Sequence, residues 1–159
     1  MKSIVFFAFF LICAYTQATI PDDRVAAMAM DIGLSTKDFQ SCLNKGRVDL
    51  ETFLELSYTA FGEDMINYPP EMVTKVGTVT ACIFKIHGVF HDSKFHPNEL
   101  FQLMNRINRS KEPIPPPIVK IIRKCSAPGN SNDEEAVVAF NFIICFKREM
   151  IIMPRLRSV

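Results

Sequence analysis

Four cysteines, Cys42, Cys82, Cys125 and Cys145, constrain this chain more than any other feature, because the start of the sequence directs them to an oxidising compartment. Lys2 is followed by the apolar run 4–14 and then by Tyr15-Thr16-Gln17-Ala18, with Thr16 and Ala18 at the small-residue positions of a signal-peptidase site. Residues 1–18 therefore read as a secretory signal peptide. Its removal discards a fifth cysteine, Cys13, and leaves an even set. The apolar run is shorter than the roughly 20 residues that cross a bilayer, and no later stretch is long and charge-free enough. The expectation is a secreted, extracellular chain that spans no membrane and carries two disulfides. Four cysteines allow three pairings, and spacing alone does not choose among them. Gaps of 40, 43 and 20 residues contain no C-x2-C pair, so no metal is expected on the thiols.

The leader carries one charged side chain, Lys2, so the 18 basic residues of the whole chain fall to 17 in the mature part, equal to the 17 acidic ones. A net charge of zero removes the clustered excess cation that nucleic-acid binding requires. Residues 19–159 fit one compact domain with a single core.

Helical periodicity dominates that domain. Thr19 is placed to cap a first helix, with Pro21, Asp22 and Asp23 in its first turn and Val25, Met28, Ala29 and Ile32 at helical spacing up to Gly33. Ser35 opens a second helix with Phe39, Cys42 and Leu43 on one face, closed by Gly46. Asp49 caps a short third helix over 50–56. Segment 57–72 holds Gly62 and the Pro69-Pro70 pair among Tyr58, Phe61, Met65, Ile66 and Tyr68, and reads as a long apolar loop. Val73, Val76, Val79, Ile83, Ile86 and Val89 predict a helix from near Glu71 to Gly88 and beyond. Pro97 opens another over 98–107, with Leu100, Phe101, Met104 and Ile107 inward. The prolines 113, 115, 116 and 117 force an extended linker. Ile118, Ile121, Ile122 and Cys125 then form a short amphipathic helix. The last helix is capped by Asn132 with Glu135, and 136–146 is apolar on nearly every side except Asn141, so it is expected to run through the middle of the fold. The tail beyond it carries Pro154, Arg155 and Arg157. These segments give an all-α bundle of about six helices. Pairing Cys42 with Cys82 and Cys125 with Cys145 would staple neighbouring helices, each closure contributing roughly 3–4 kcal/mol.

The stretch Cys82-Ile83-Phe84-Lys85-Ile86-His87-Gly88-Val89-Phe90-His91-Asp92-Ser93-Lys94-Phe95 resembles the segment after the third cysteine of the insect odorant-binding proteins of the pheromone- and general-odorant-binding type. That family usually has six cysteines, with three residues between the second and third and eight between the fifth and sixth. The corresponding positions here are Thr78 and Ala136. The two cysteines that would bond each other are thus missing together, which is similar to the four-cysteine "Minus-C" subclass. The resemblance implies the pairing of Cys42 with Cys82 and of Cys125 with Cys145. It also implies a helical shell around a closed apolar cavity that carries small hydrophobic ligands through aqueous lymph, as a monomer or weak homodimer, with a chemosensory receptor as a further partner. The separation of Cys42 from position 78 is longer than the family usually shows, and the extra residues fall in segment 57–72.

A dry cavity lined by aliphatic, aromatic and thioether side chains suits that role, since each buried methylene of a guest contributes about 0.8 kcal/mol and methionines adapt to different shapes. Candidate lining residues, on the inner stripes of the helices, are Met28, Met104, Ile118, Ile122, Val138 and Phe142. Tyr58 and Tyr68 could offer a hydroxyl to a polar end, against the reading of packed loop tyrosines. His87 and His91 have i, i+4 spacing with His96 nearby, but Gly88 and a helix end at His91 argue against a metal. The three histidines could instead loosen the cavity wall on acidification. Asn108-Arg109-Ser110 is a glycosylation sequon. No G-x-S-x-G, H-E-x-x-H or phosphate-binding glycine loop is present, so neither catalysis nor a cofactor is expected. The competing reading is a secreted helical signalling or structural protein that acts through its surface over a filled core.

Overall fold

The computed structural model describes residues 21–62, 67–107, 113–127 and 134–152. Among these lie seven helices: α1 Pro21–Asp31, α2 Thr36–Lys45, α3 Leu50–Gly62, α4 Pro70–Ile86, α5 Pro97–Ile107, α6 Pro116–Cys125 and α7 Glu135–Ile152. Two two-residue strands, β1 Phe90–His91 and β2 Lys94–Phe95, pair antiparallel between α4 and α5. The all-α class is as expected, with seven helices rather than about six. Among the described residues no helix is long and apolar enough to cross a membrane.

Local chemistry accounts for the helix ends. The Asp38 backbone N–H donates to Ser35 Oγ at 3.1 Å, and that of Thr52 donates to Asp49 Oδ1 at 2.7 Å. The second bond holds the Asp49 carboxyl below its ordinary pKa. Gly33 and Gly88 take φ values of 69° and 72°, and each lets the next residue's N–H reach back five residues, Leu34 to Ala29 and Val89 to Phe84. Both are glycine-terminated helix stops. The expected continuation of α4 beyond Gly88 is therefore corrected: the left-handed glycine ends it and turns the chain into the hairpin.

Gly46 closes α2 as expected, and two further expectations change. Gly46 follows α2, but Arg47 takes the left-handed conformation, at φ 53°, while Gly46 stays helical at φ −74°. Glycine is needed at 46 for closeness, since a Cβ there would stand 2.5 Å from Val79 Cγ2 of α4. The third helix runs to Gly62 instead of stopping near 56, because the inward stripe that starts at Phe53 continues through the small buried residues Ser57 and Ala60, which do not register as apolar positions. Residues 57–62 of the expected loop are thereby helix. Proposed caps Thr19 and Asn132, the tail arginines 155 and 157, and the sequon at Asn108 lie outside the described residues.

Helix α7 carries buried Ala139, Phe140, Phe142, Ile143 and Ile144, with Asn141 exposed, and packs on α4, α6, α3 and the hairpin. Its closest approach is to α4. A Cβ built on Gly77 would overlap the backbone carbonyl of Ala136, so here two helices meet main chain to main chain. Disulfides Cys42–Cys82 and Cys125–Cys145, with Cα separations of 5.5 and 5.6 Å, tie α2 to α4 and α6 to α7. Of the three pairings, this is the one formed. Ion pairs Lys85–Glu135 and Lys124–Glu149 link α4 to α7 and α6 to α7. Both are largely exposed, so each contributes well under about 1 kcal/mol.

Candidate functional site

The residues expected to line a cavity converge on one apolar cluster. Met28 reaches it from α1, Met104 from α5, Ile118 and Ile122 from successive turns of α6, and Phe142 from α7; all five are buried. Val138, one turn before Phe142, is half-buried and packs against the same cluster. The helical period explains this: 118/122 and 138/142 are i, i+4 pairs, each on one helix face. Leu103, also buried on α5, joins the stripe that the sequence assigned to Leu100, Phe101, Met104 and Ile107.

Aromatic rings surround Phe142. Its ring stacks on Phe95 of the hairpin with centroids 4.0 Å apart and lies 6.1 Å from Phe84 of α4 and 6.2 Å from Phe146. Phe95 in turn contacts Phe84 at 5.1 Å and Phe90 at 4.8 Å. The hairpin delivers these rings because strand alternation turns Phe90 and Phe95, which are directly paired, to the same inner face. Scarce alternation in the sequence hid these two short strands.

The two tyrosines separate. Tyr58 is 64% exposed on α3, so it is neither a loop residue nor packed. Tyr68 is half-buried, edge-on to Phe140 at 5.1 Å, and its hydroxyl donates to the Ala60 carbonyl at 3.4 Å. The Lys147 ammonium, on α7, is buried and donates to the same carbonyl at 3.3 Å. Two buried hydroxyls, Ser57 Oγ on α3 and Thr80 Oγ1 on α4, have no hydrogen-bond partner. Sequence reasoning passed over both, since a lone Ser or Thr on a helix carries no signal of its own.

The histidines separate as well. His87 caps α4 and is half-buried, with its pKa held below the ordinary 6.5 by desolvation, against a hydrogen bond to the backbone of Ile32 that favours the charged form. His91 and His96 sit away from it on the outer face of the hairpin, their rings stacked with centroids 3.5 Å apart. The i, i+4 pair of His87 with His91 is therefore not a ligand pair, because Gly88 ends the helix between them.

The fold and the apolar cluster agree with a comparison of whole sequences. A model of the PBP/GOBP family matches residues 34–149, a span that contains all four cysteines, the hairpin and both seams of α7. Comparison with curated proteins finds no match, and comparison with solved structures finds none. With most of its length matched, the chain belongs to the PBP/GOBP family, the insect odorant- and pheromone-binding proteins, whose members carry small ligands.

Proposed function

We propose that the mature chain is a secreted carrier that shelters a small hydrophobic molecule in an internal cavity bordered by Met28, Met104, Ile118, Ile122, Val138 and Phe142, and moves it through aqueous extracellular fluid. The observation that carries this reading is the convergence of side chains from four separate helices, two of them methionines, on one apolar cluster in a chain of a ligand-carrying family. Flexible thioethers and rotatable rings can rearrange around a guest, while two disulfides keep the helices in register. Thr78 and Ala136, where the family's usual second and fifth cysteines would stand, favour the four-cysteine subclass.

The test uses a fluorescent apolar probe, N-phenyl-1-naphthylamine, titrated into the processed protein. Saturable binding at micromolar protein, reversed by long-chain alcohols or fatty acids, is the expected result. Absence of any saturable probe signal, with the disulfides intact, would contradict the carrier role and return the surface-acting reading.

A further inference from the structure

The outer face of the hairpin has a use that the apolar cluster does not absorb. We infer that His91, His96 and Glu99 form a binding site for one divalent transition-metal ion of the zinc class. Each residue offers a ligand atom, and those three atoms lie within 4.8 Å of one another.

The arrangement follows from the backbone. Asp92 and Ser93, with φ values of 52° and 54°, make a two-residue turn that pairs His91 with Lys94 and Phe90 with Phe95. Alternation then puts His96 on the same face as Lys94, diagonal to His91, as Phe95 turns inward. The His96 backbone N–H donates to the Val89 carbonyl at 2.9 Å and its carbonyl accepts from Leu100 N–H at 3.1 Å, so His96 both closes the hairpin and opens α5. Glu99 follows three residues later, in the first turn of α5 and on the same side as His96.

Three features favour an ion over a chance cluster. Two imidazoles and a carboxylate are the donor set that zinc and its neighbours prefer, leaving one position open. His91 Nδ1 lies 3.1 Å from Asp92 Oδ2, a carboxylate–histidine pair that orients the ring and leaves its other nitrogen for the metal. That contact also holds the Asp92 carboxyl below its ordinary pKa. His96 Nε2 is shielded from solvent and has no hydrogen-bond partner. Ligand atoms about 2.0–2.2 Å from a tetrahedral zinc stand about 3.5 Å apart, inside the 4.8 Å that bounds these three, so any remaining closure is a matter of side-chain rotation. The exposed His91 can supply it by turning off the His96 ring. Lys94, paired opposite His91, is the cation that opposes binding.

The experiment is a calorimetric titration of Zn2+ into chelator-stripped, untagged mature protein near neutral pH. We expect one ion per chain with micromolar or tighter affinity. His91→Ala, His96→Ala and Glu99→Gln should each weaken it at least tenfold, Asp92→Asn several-fold, and His87→Ala not at all. Visible d–d bands of Co2+ in the same site would report its coordination independently. His91 is exposed, so His91→Ala keeps its helical circular dichroism and decides the matter if His96→Ala does not fold. No saturable one-to-one heat overturns the proposal. So does an affinity unmoved by His91→Ala and Glu99→Gln, or one lost equally in His87→Ala.

Discussion

Helix α7 meets the rest of the molecule in two contrasting ways. At Ala136 it rests on Gly77 of α4 with no side chain between the two backbones. At Phe142 and Phe146, two to three turns on, it is held off by a pile of rings from α4 and the hairpin. The first contact has nothing that can rearrange, so it sets the spacing of the helices. The second consists of side chains with rotatable bonds in the same apolar cluster as the methionines and isoleucines of α1, α5 and α6, and under the proposed function it is where a guest would be admitted. Under the proposed four-cysteine reading, Thr78 and Ala136 stand where the family's further disulfide would be, and the Gly77–Ala136 backbone contact lies one residue away.

The largest expected effect strikes the rigid end. Gly77→Val should cost about 4 kcal/mol or more in urea unfolding, or prevent folding, because the Ala136 carbonyl cannot retreat as a side chain could. A loss below about 1 kcal/mol would mean that the two helices slide freely. At the other end, Phe142→Ala should cost only about 2 kcal/mol in the guest-free protein, below the roughly 3–5 kcal/mol of a solidly packed Phe, and should shift preference toward bulkier guests. A cost of about 4 kcal/mol with unchanged guest preference would place Phe142 in filled core and erase the contrast.

Joining the rigid end covalently should change little else. Thr78→Cys combined with Ala136→Cys should form a third disulfide, raise stability by about 2 kcal/mol, and leave probe affinity unchanged. Free thiols in the folded double variant would show that the two positions do not adjoin. The smallest effect is that of pH, and it falls at the α4 terminus, where His87 meets the end of α1. His87 has a folded pKa below the unfolded 6.5, so its contribution to stability is complete above that value and is lost as pH falls, when the unfolded chain takes up the proton more readily. Arg106 adds to the depression. Between about pH 7.5 and about pH 5, the wild type should lose more stability than His87→Asn. Parallel pH profiles for the two would remove His87 from the account.

Long-range apolar period and caps with a side-chain mechanism were legible in the sequence. Ser35, Asp49 and the stripes of α5, α6 and α7 all lie as their spacing requires, and the six candidate lining residues belong to the buried apolar core or pack against it. What stayed hidden depends on neighbours distant in sequence. Gly46 reads only as a helix end and Gly77 carries no signal inside its helix, yet each lets α4 approach another helix closely. Ser57 and Ala60 extend α3 through burial that no polarity scale assigns to serine. The hairpin is too short to show alternation, so the grouping of His91 and His96 with Glu99 is visible only once the turn at Asp92-Ser93 is seen to fold them onto one face.

A crystal structure of the processed protein soaked with a long-chain alcohol tests the central claim most directly. The account predicts the alkyl chain enclosed between Met104, Ile118, Ile122 and Phe142, with the Gly77–Ala136 contact unchanged. Side chains packed without a gap at that place, and alcohol found only on the outer surface, would contradict it.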